Sequence, residues 1–219
     1  MRMKTLVLVI ILAGGLSFPS MSLSAQQSGD RLAEQALEEC NLGRLTRDRA
    51  TRLAHFQQGQ ILGERAVAAE EGSADAHFAL FCNLGELLRI NGESFTSLFG
   101  LYRMMKELDR ALEINPAHIG ALSAKGTLLV RLPGLLGGDS EKGERLLQQV
   151  IKQAPKAVNA RLALAKVRCE HGHHQEAVTL AADALAIARE YQQIEFIPEA
   201  EAMLQQARAN AVKTKEPRS

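Results

Sequence analysis

A chain of 219 residues with 46% hydrophobic but only 4% aromatic residues and no Trp must build its core from Leu, Ala, Val and Ile, which suits close-packed helices better than sheets. Its 26 basic and 25 acidic residues are interspersed along the chain, so it lacks the electrostatic footprint of a nucleic-acid binder. No stretch alternates apolar and polar residues with a period of two, so no strand is predicted and the expected class is all-α.

Met1-Arg2-Met3-Lys4 begins the chain, an apolar run follows from Leu6 to Leu16, and small residues lead out through Ser22-Leu23-Ser24-Ala25. A basic start, a short apolar run and a small-residue exit describe a secretory signal peptide over 1–25, with cleavage near Ala25 and a periplasmic or secreted product. The alternative is an uncleaved anchor. Lipidation is not expected, because the first cysteine is Cys40. Cleavage removes Arg2 and Lys4 and no acid, leaving 24 basic against 25 acidic residues. Cys40, Cys82 and Cys169 are odd in number and widely spaced, which is no disulfide framework. The plainer reading is three small buried hydrophobes; an oxidising compartment would permit one bridge, Cys40 to Cys82 being the most plausible.

From residue 26 to 212 every periodic segment has a helical spacing. The first pair covers about 30–70, with Asp30 as a candidate cap and Leu53, Phe56, Gln60, Val67 and Ala68 as a partly apolar stripe. Three later stretches begin alike, at Ala74-Asp75-Ala76-His77, Ile119-Gly120-Ala121-Leu122 and Val158-Asn159-Ala160-Arg161. Two helices end alike, in Glu113-Ile114-Asn115-Pro116 and Lys152-Gln153-Ala154-Pro155. The repeated order of helix, turn, helix and hand-over Pro resembles the tetratricopeptide pattern, with pairs at about 74–116, 119–155 and 158–190. The last pair fits best, having Gly172 at its inner turn and Ala177 and Ala184 at the small-residue positions of its second helix. A capping helix is expected over 198–212, with Pro198 in its first turn and Met203, Ala207 and Ala211 as its apolar stripe, followed by a frayed tail over 213–219.

The first two copies are longer than the usual period of about 34 residues. One insertion, Phe95 to Lys106, is expected to lengthen a second helix; the other is Leu132-Pro133-Gly134-Leu135-Leu136-Gly137-Gly138-Asp139. A long repeat followed by a Gly-Gly-Asp turn resembles the helical T component that accompanies TRAP-type transporters, over roughly 74–188. That resemblance implies a periplasmic accessory protein beside a solute-binding component, with a cleft that passes a hydrophobic small molecule. The sequence departs from the pattern in its missing anchor cysteine and its smaller number of repeats.

Phe95, Phe99 and Tyr102 stand at helical spacings of four and three and share a face. Two readings stand side by side: a ligand or peptide surface, or packing of the longer helix. Leu132, Leu135 and Leu136 extend that lining if the insertions meet. Gly137, Gly138 and Asp139 could cradle an anion, but a turn with Asp139 or Ser140 as helix cap is favoured, since Glu141 and Glu144 would repel one. Cys169-Glu170-His171-Gly172-His173-His174 has the composition of a metal site, yet no second ligand cluster accompanies it, so turn and surface roles are expected. His77 is expected to be a packed imidazole.

No nucleophile elbow, phosphate loop, dinucleotide fingerprint or His-Glu-x-x-His motif is present, and neither an enzyme nor a cofactor is expected. The expectation is an exported binding or scaffold protein. Its partner would be a periplasmic solute-binding component or a hydrophobic small molecule, or else the chain is a general peptide-binding scaffold, or a metal binder centred on the His-rich turn.

Overall fold

The computed structural model describes residues 21–90 and 98–213, with side chains from residue 28 onward in the first helix. Nine α-helices follow one another, and among the described residues there is no strand. They are α1 Met21–Leu45, α2 Arg49–Ala69, α3 Ala74–Ile90, α4 Leu98–Ile114, α5 Ile119–Arg131, α6 Ser140–Gln153, α7 Val158–Glu170, α8 His174–Glu190 and α9 Ile197–Lys213. Short 3-10 turns at Gly134–Leu136 and Ile194–Phe196 precede α6 and α9. Among these helices none is long and apolar enough to cross a membrane.

Polar caps set several of the helix starts. Asp48 accepts the Thr51 amide at 2.7 Å to begin α2, and Asp139 accepts the Lys142 amide at 2.9 Å to begin α6. At α5 the cap is His118, whose Nδ1 accepts the Ala121 amide at 3.0 Å while Nε2 meets Asp75 Oδ1 at 2.9 Å. That pairing fixes the proton of the neutral ring on Nε2. Gly172 ends α7 at φ +82°, the left-handed geometry in which the His173 amide returns to Arg168 O at 2.8 Å.

Consecutive helices pack as antiparallel hairpins, α1 with α2, α3 with α4, α5 with α6 and α7 with α8, and α9 closes the end against α8 and α7. The hairpins stack with first helices neighbouring, α1 on α3 and α5 on α7. Small residues permit this: Ala177, Ala181, Ala184 and Ala188 of α8 are fully buried against Val158, Leu162 and Ala165 of α7 and Ala200, Met203 and Leu204 of α9. Between the second and third hairpins larger groups fill the space. Phe78 lies against Gly120, stacks on Phe81 at 6.0 Å between ring centroids and meets the His118 ring at 4.8 Å. Buried Asn83 ties α1 to α3 by donating to Ala36 O at 2.8 Å as well as to Ala79 O of its own helix at 2.9 Å.

Cys40 and Cys82 form a disulfide between α1 and α3, with Cα atoms 6.3 Å apart. This corrects the reading of both as merely buried hydrophobes; Cys169 remains a buried free thiol. The first insertion begins at Phe95, outside the described residues; from Leu98 its helix α4 runs for 17 residues, against 14 in α6. The second insertion lies wholly in the connection, since α5 and α7 both have 13 residues.

Candidate functional site

Alternation of up and down helices gathers the connections 46–48, 132–139 and 171–173 and the start of α4 at one edge of the stack. Ion pairs and hydrogen bonds stitch helix ends together there: Arg44 to Glu86 at 2.8 Å, Arg49 to Ile90 O at 3.1 Å and Arg168 to Glu144 at 2.9 Å. The opposite edge carries the connections between hairpins, joined by His118 to Asp75 and by Gln193 to Lys156 O at 3.2 Å.

Phe99 and Tyr102 stand on the first edge at the start of α4, 80% and 69% exposed. Leu101 and Met104, on the other side of that helix, enter the core with Leu88 and Leu128. Phe95 lies outside the described residues. Leu132 does not line a surface, which corrects the sequence reading: as the residue ending α5 it is buried in the same core as Leu101 and Met104. Leu136 packs partly against that core, whereas Leu135 projects wholly into solvent. The two insertions therefore meet through Leu132 and Leu136 beneath the surface, and the exposed rings stand on an open edge.

Gly137, at φ +86°, closes the 3-10 turn, with the Leu136 and Gly138 amides both donating to Pro133 O at 2.8 and 3.1 Å. Asp139 is occupied as the cap of α6, and its own amide donates to Leu129 O at 2.8 Å. The loop's polar groups are thus spent on its own geometry.

The His-rich turn splays its candidate ligands. His171 Nδ1 faces Glu144 at 3.3 Å, while His174 Nδ1 lies 3.7 Å from the Cys169 sulfur, to which Asn210 donates at 3.3 Å. Among the described residues no three His, Cys, Asp or Glu side chains could share a metal ion. His77 is buried, with Nδ1 2.6 Å from Glu107 Oε2 and Nε2 3.0 Å from Glu71 O. Burial pushes the Glu86 carboxyl up, but Arg44 and Arg89 outweigh it and hold it below its ordinary value.

Sequence reasoning did not reach a further surface, between α5 and α7. There Val130, Ala163 and Val167 together with Arg131, Lys166 and Glu170 line an open, mainly polar cleft of about 260 Å³. Its signal in the sequence is the repeated spacing itself, which makes α5 and α7 equivalent first helices of neighbouring hairpins.

No family model matches this sequence, and no curated protein does. Among solved structures, PilF of Pseudomonas aeruginosa is similar at 16% identity, over 84% of this chain and 78% of PilF, with a TM-score of 0.51. The fold is a tetratricopeptide-repeat helical solenoid. Yeast Tom70 is similar at 17% identity, over 94% of this chain and 46% of Tom70, with a TM-score of 0.47. YrrB, described as a tetratricopeptide-repeat protein with an unusual peptide-binding site, is similar at 14% identity, over 86% of this chain and 93% of YrrB, with a TM-score of 0.41. These likenesses concern the backbone; what the chain binds has to be argued from its own residues.

Proposed function

We propose that the protein is an exported, non-enzymatic scaffold that holds an extended segment of a partner protein along the face formed by α5 and α7. The observation that carries this reading is the cleft between those helices, lined by Val130, Ala163 and Val167 together with Arg131, Lys166 and Glu170. Charges of both signs along a shallow cleft suit the register of an extended segment, and the small apolar side chains leave room for its backbone. Two features support export: the leader-like sequence over 1–25 and the Cys40–Cys82 disulfide, which persists in an oxidising compartment.

The transporter resemblance supplies one partner of this kind, a periplasmic solute-binding component, and its support is the Gly137-Gly138-Asp139 loop with the register of the repeats. A hydrophobic small molecule is not part of the proposal, because Phe99, Tyr102 and Leu135 face open solvent instead of enclosing a pocket.

Site-specific photocrosslinking in intact cells tests the scaffold reading. A crosslinker at Ala163 is expected to trap one predominant protein, and Lys166→Glu with Arg131→Glu should abolish that adduct. A crosslinker at Gln149, exposed on α6, provides the comparison. Equal adducts from both positions, or none from Ala163, would overturn the proposal.

A further inference from the structure

Exposed apolar side chains are unevenly placed on this molecule. Of the ten large hydrophobic residues exposed among the described ones, six lie on the edge that carries the within-hairpin turns: Leu42, Leu45, Leu98, Phe99, Tyr102 and Leu135. They come from the end of α1, the start of α4 and the α5–α6 loop, so they converge through the fold and not through one sequence motif. Beneath them the same core, including Leu88, Leu101 and Leu132, holds the helix ends at a common level. The apolar groups therefore tip a row of helix ends and do not line a groove.

Charge on the first two hairpins is polarised in the same sense. On this edge Arg44 and Arg89 share Glu86, at 2.8 and 2.6 Å, which neutralises one of the two. Arg47, Arg49 and Arg52 follow within the turn into α2, where Asp48 is the acid nearby and is already engaged as the cap. Arg47 and Arg49 are exposed, and Arg49 donates to Ile90 O. The opposite edge of those hairpins carries Glu70, Glu71, Asp75 and Glu113. The first two hairpins thus have a mainly basic, apolar edge and a mainly acidic one, with Arg65 and Arg110 also toward the second; on the third hairpin the acids Asp139 and Glu141 follow Leu135.

We propose that this edge docks on an anionic membrane surface, with Leu98, Phe99 and Leu135 entering the acyl boundary, Tyr102 at headgroup level and Arg47, Arg49 and Arg52 facing lipid phosphates. A bilayer meets both requirements together, because its interface offers an apolar layer under a layer of negative charge. Tyrosine and arginine suit the boundary, where one end of the side chain is apolar and the other wet. Tyrosine, phenylalanine and arginine also occur in protein interfaces, so binding to bare vesicles is the observation that separates the two occupants. This inference stands apart from the α5–α7 cleft and would hold even if that cleft took no partner.

Cosedimentation of the exported protein with vesicles tests it. The protein is expected to bind vesicles of phosphatidylcholine mixed with phosphatidylglycerol, to bind phosphatidylcholine alone far less, and to be released by salt. Phe99→Ser combined with Leu135→Ser should abolish binding while leaving the helical circular dichroism unchanged, since both side chains are exposed. Arg47→Gln should weaken it by about fivefold, the effect of one arginine near an anionic surface. Equal binding to both vesicle types, no binding to either, or unchanged binding by the Phe99/Leu135 variant would overturn the proposal. So would a protein partner lost in that variant while vesicle binding persisted.

Discussion

Gln192 sits at φ +54°, in the left-handed region that side chains with a Cβ rarely adopt. Its surroundings repeat those of Gly172. The Gln193 amide returns to Ala188 O at 2.9 Å, as the His173 amide returns to Arg168 O, so α8 ends in the same motif as α7 with a glutamine where the other has glycine. Gln192→Gly should therefore raise stability by about 0.5–1 kcal/mol, the relief of left-handed strain exceeding the entropy that glycine adds to the unfolded chain. Urea denaturation checks this; an unchanged or lower midpoint would show that the strain is absorbed elsewhere. The Gly172 turn and the buried Ala177 and Ala184 were legible in the sequence because each residue type has one common reason to occur there. His118 as a helix cap and Asn83 as a buried tie between α1 and α3 were not, since neither residue type signals those partners without the fold.

Helix positions followed from the repeated small residues, but the destination of the inserted residues did not. Sequence length cannot say whether extra residues extend a helix or its connection; in the second insertion Pro133 and Gly137 put them in a capped loop and sent Leu132 inward. For the same reason Leu132 was misread: helical spacing puts Phe99 and Tyr102 on one exposed face but does not say which side of the loop Leu132 and Leu135 take. The disulfide was legible only as the most plausible bridge beside a plainer reading of buried thiols, because an odd set of three cysteines forms no framework and the packing of α1 on α3 is what brings Cys40 to Cys82. That bond spans 42 residues, so the loop-closure argument assigns it about 4 kcal/mol. Thermal melts with and without a strong reductant should differ accordingly, and a Cys40→Ala/Cys82→Ala variant should melt low and ignore the reductant. Identical melts for the natural protein in both conditions would show that the bond contributes little.

At the scale of the whole molecule, each hairpin contacts mainly its neighbours, so stability should be distributed locally and be unequal at the two ends. The first hairpin is secured by the disulfide and by Asn83, whereas the last is completed by α9 alone. Ala200, Met203, Leu204 and Ala207 cover α8 and α7, and burying Met203 and Leu204 contributes roughly 3–6 kcal/mol together. Asn210 of the same helix donates to the Cys169 sulfur, which gives a chemical reporter of that cover. Ending the chain after Gln193 should expose the Cys169 thiol to rapid labelling and strip amide-exchange protection from α7 and α8, while α1 to α3 keep theirs. A solenoid stabilised through nearest neighbours requires that gradient, because α9 shares no core with the first two hairpins. Loss of protection along the entire chain would instead mean that the stack unfolds as one unit, and a thiol that stays shielded would mean that α8 alone suffices to cover α7.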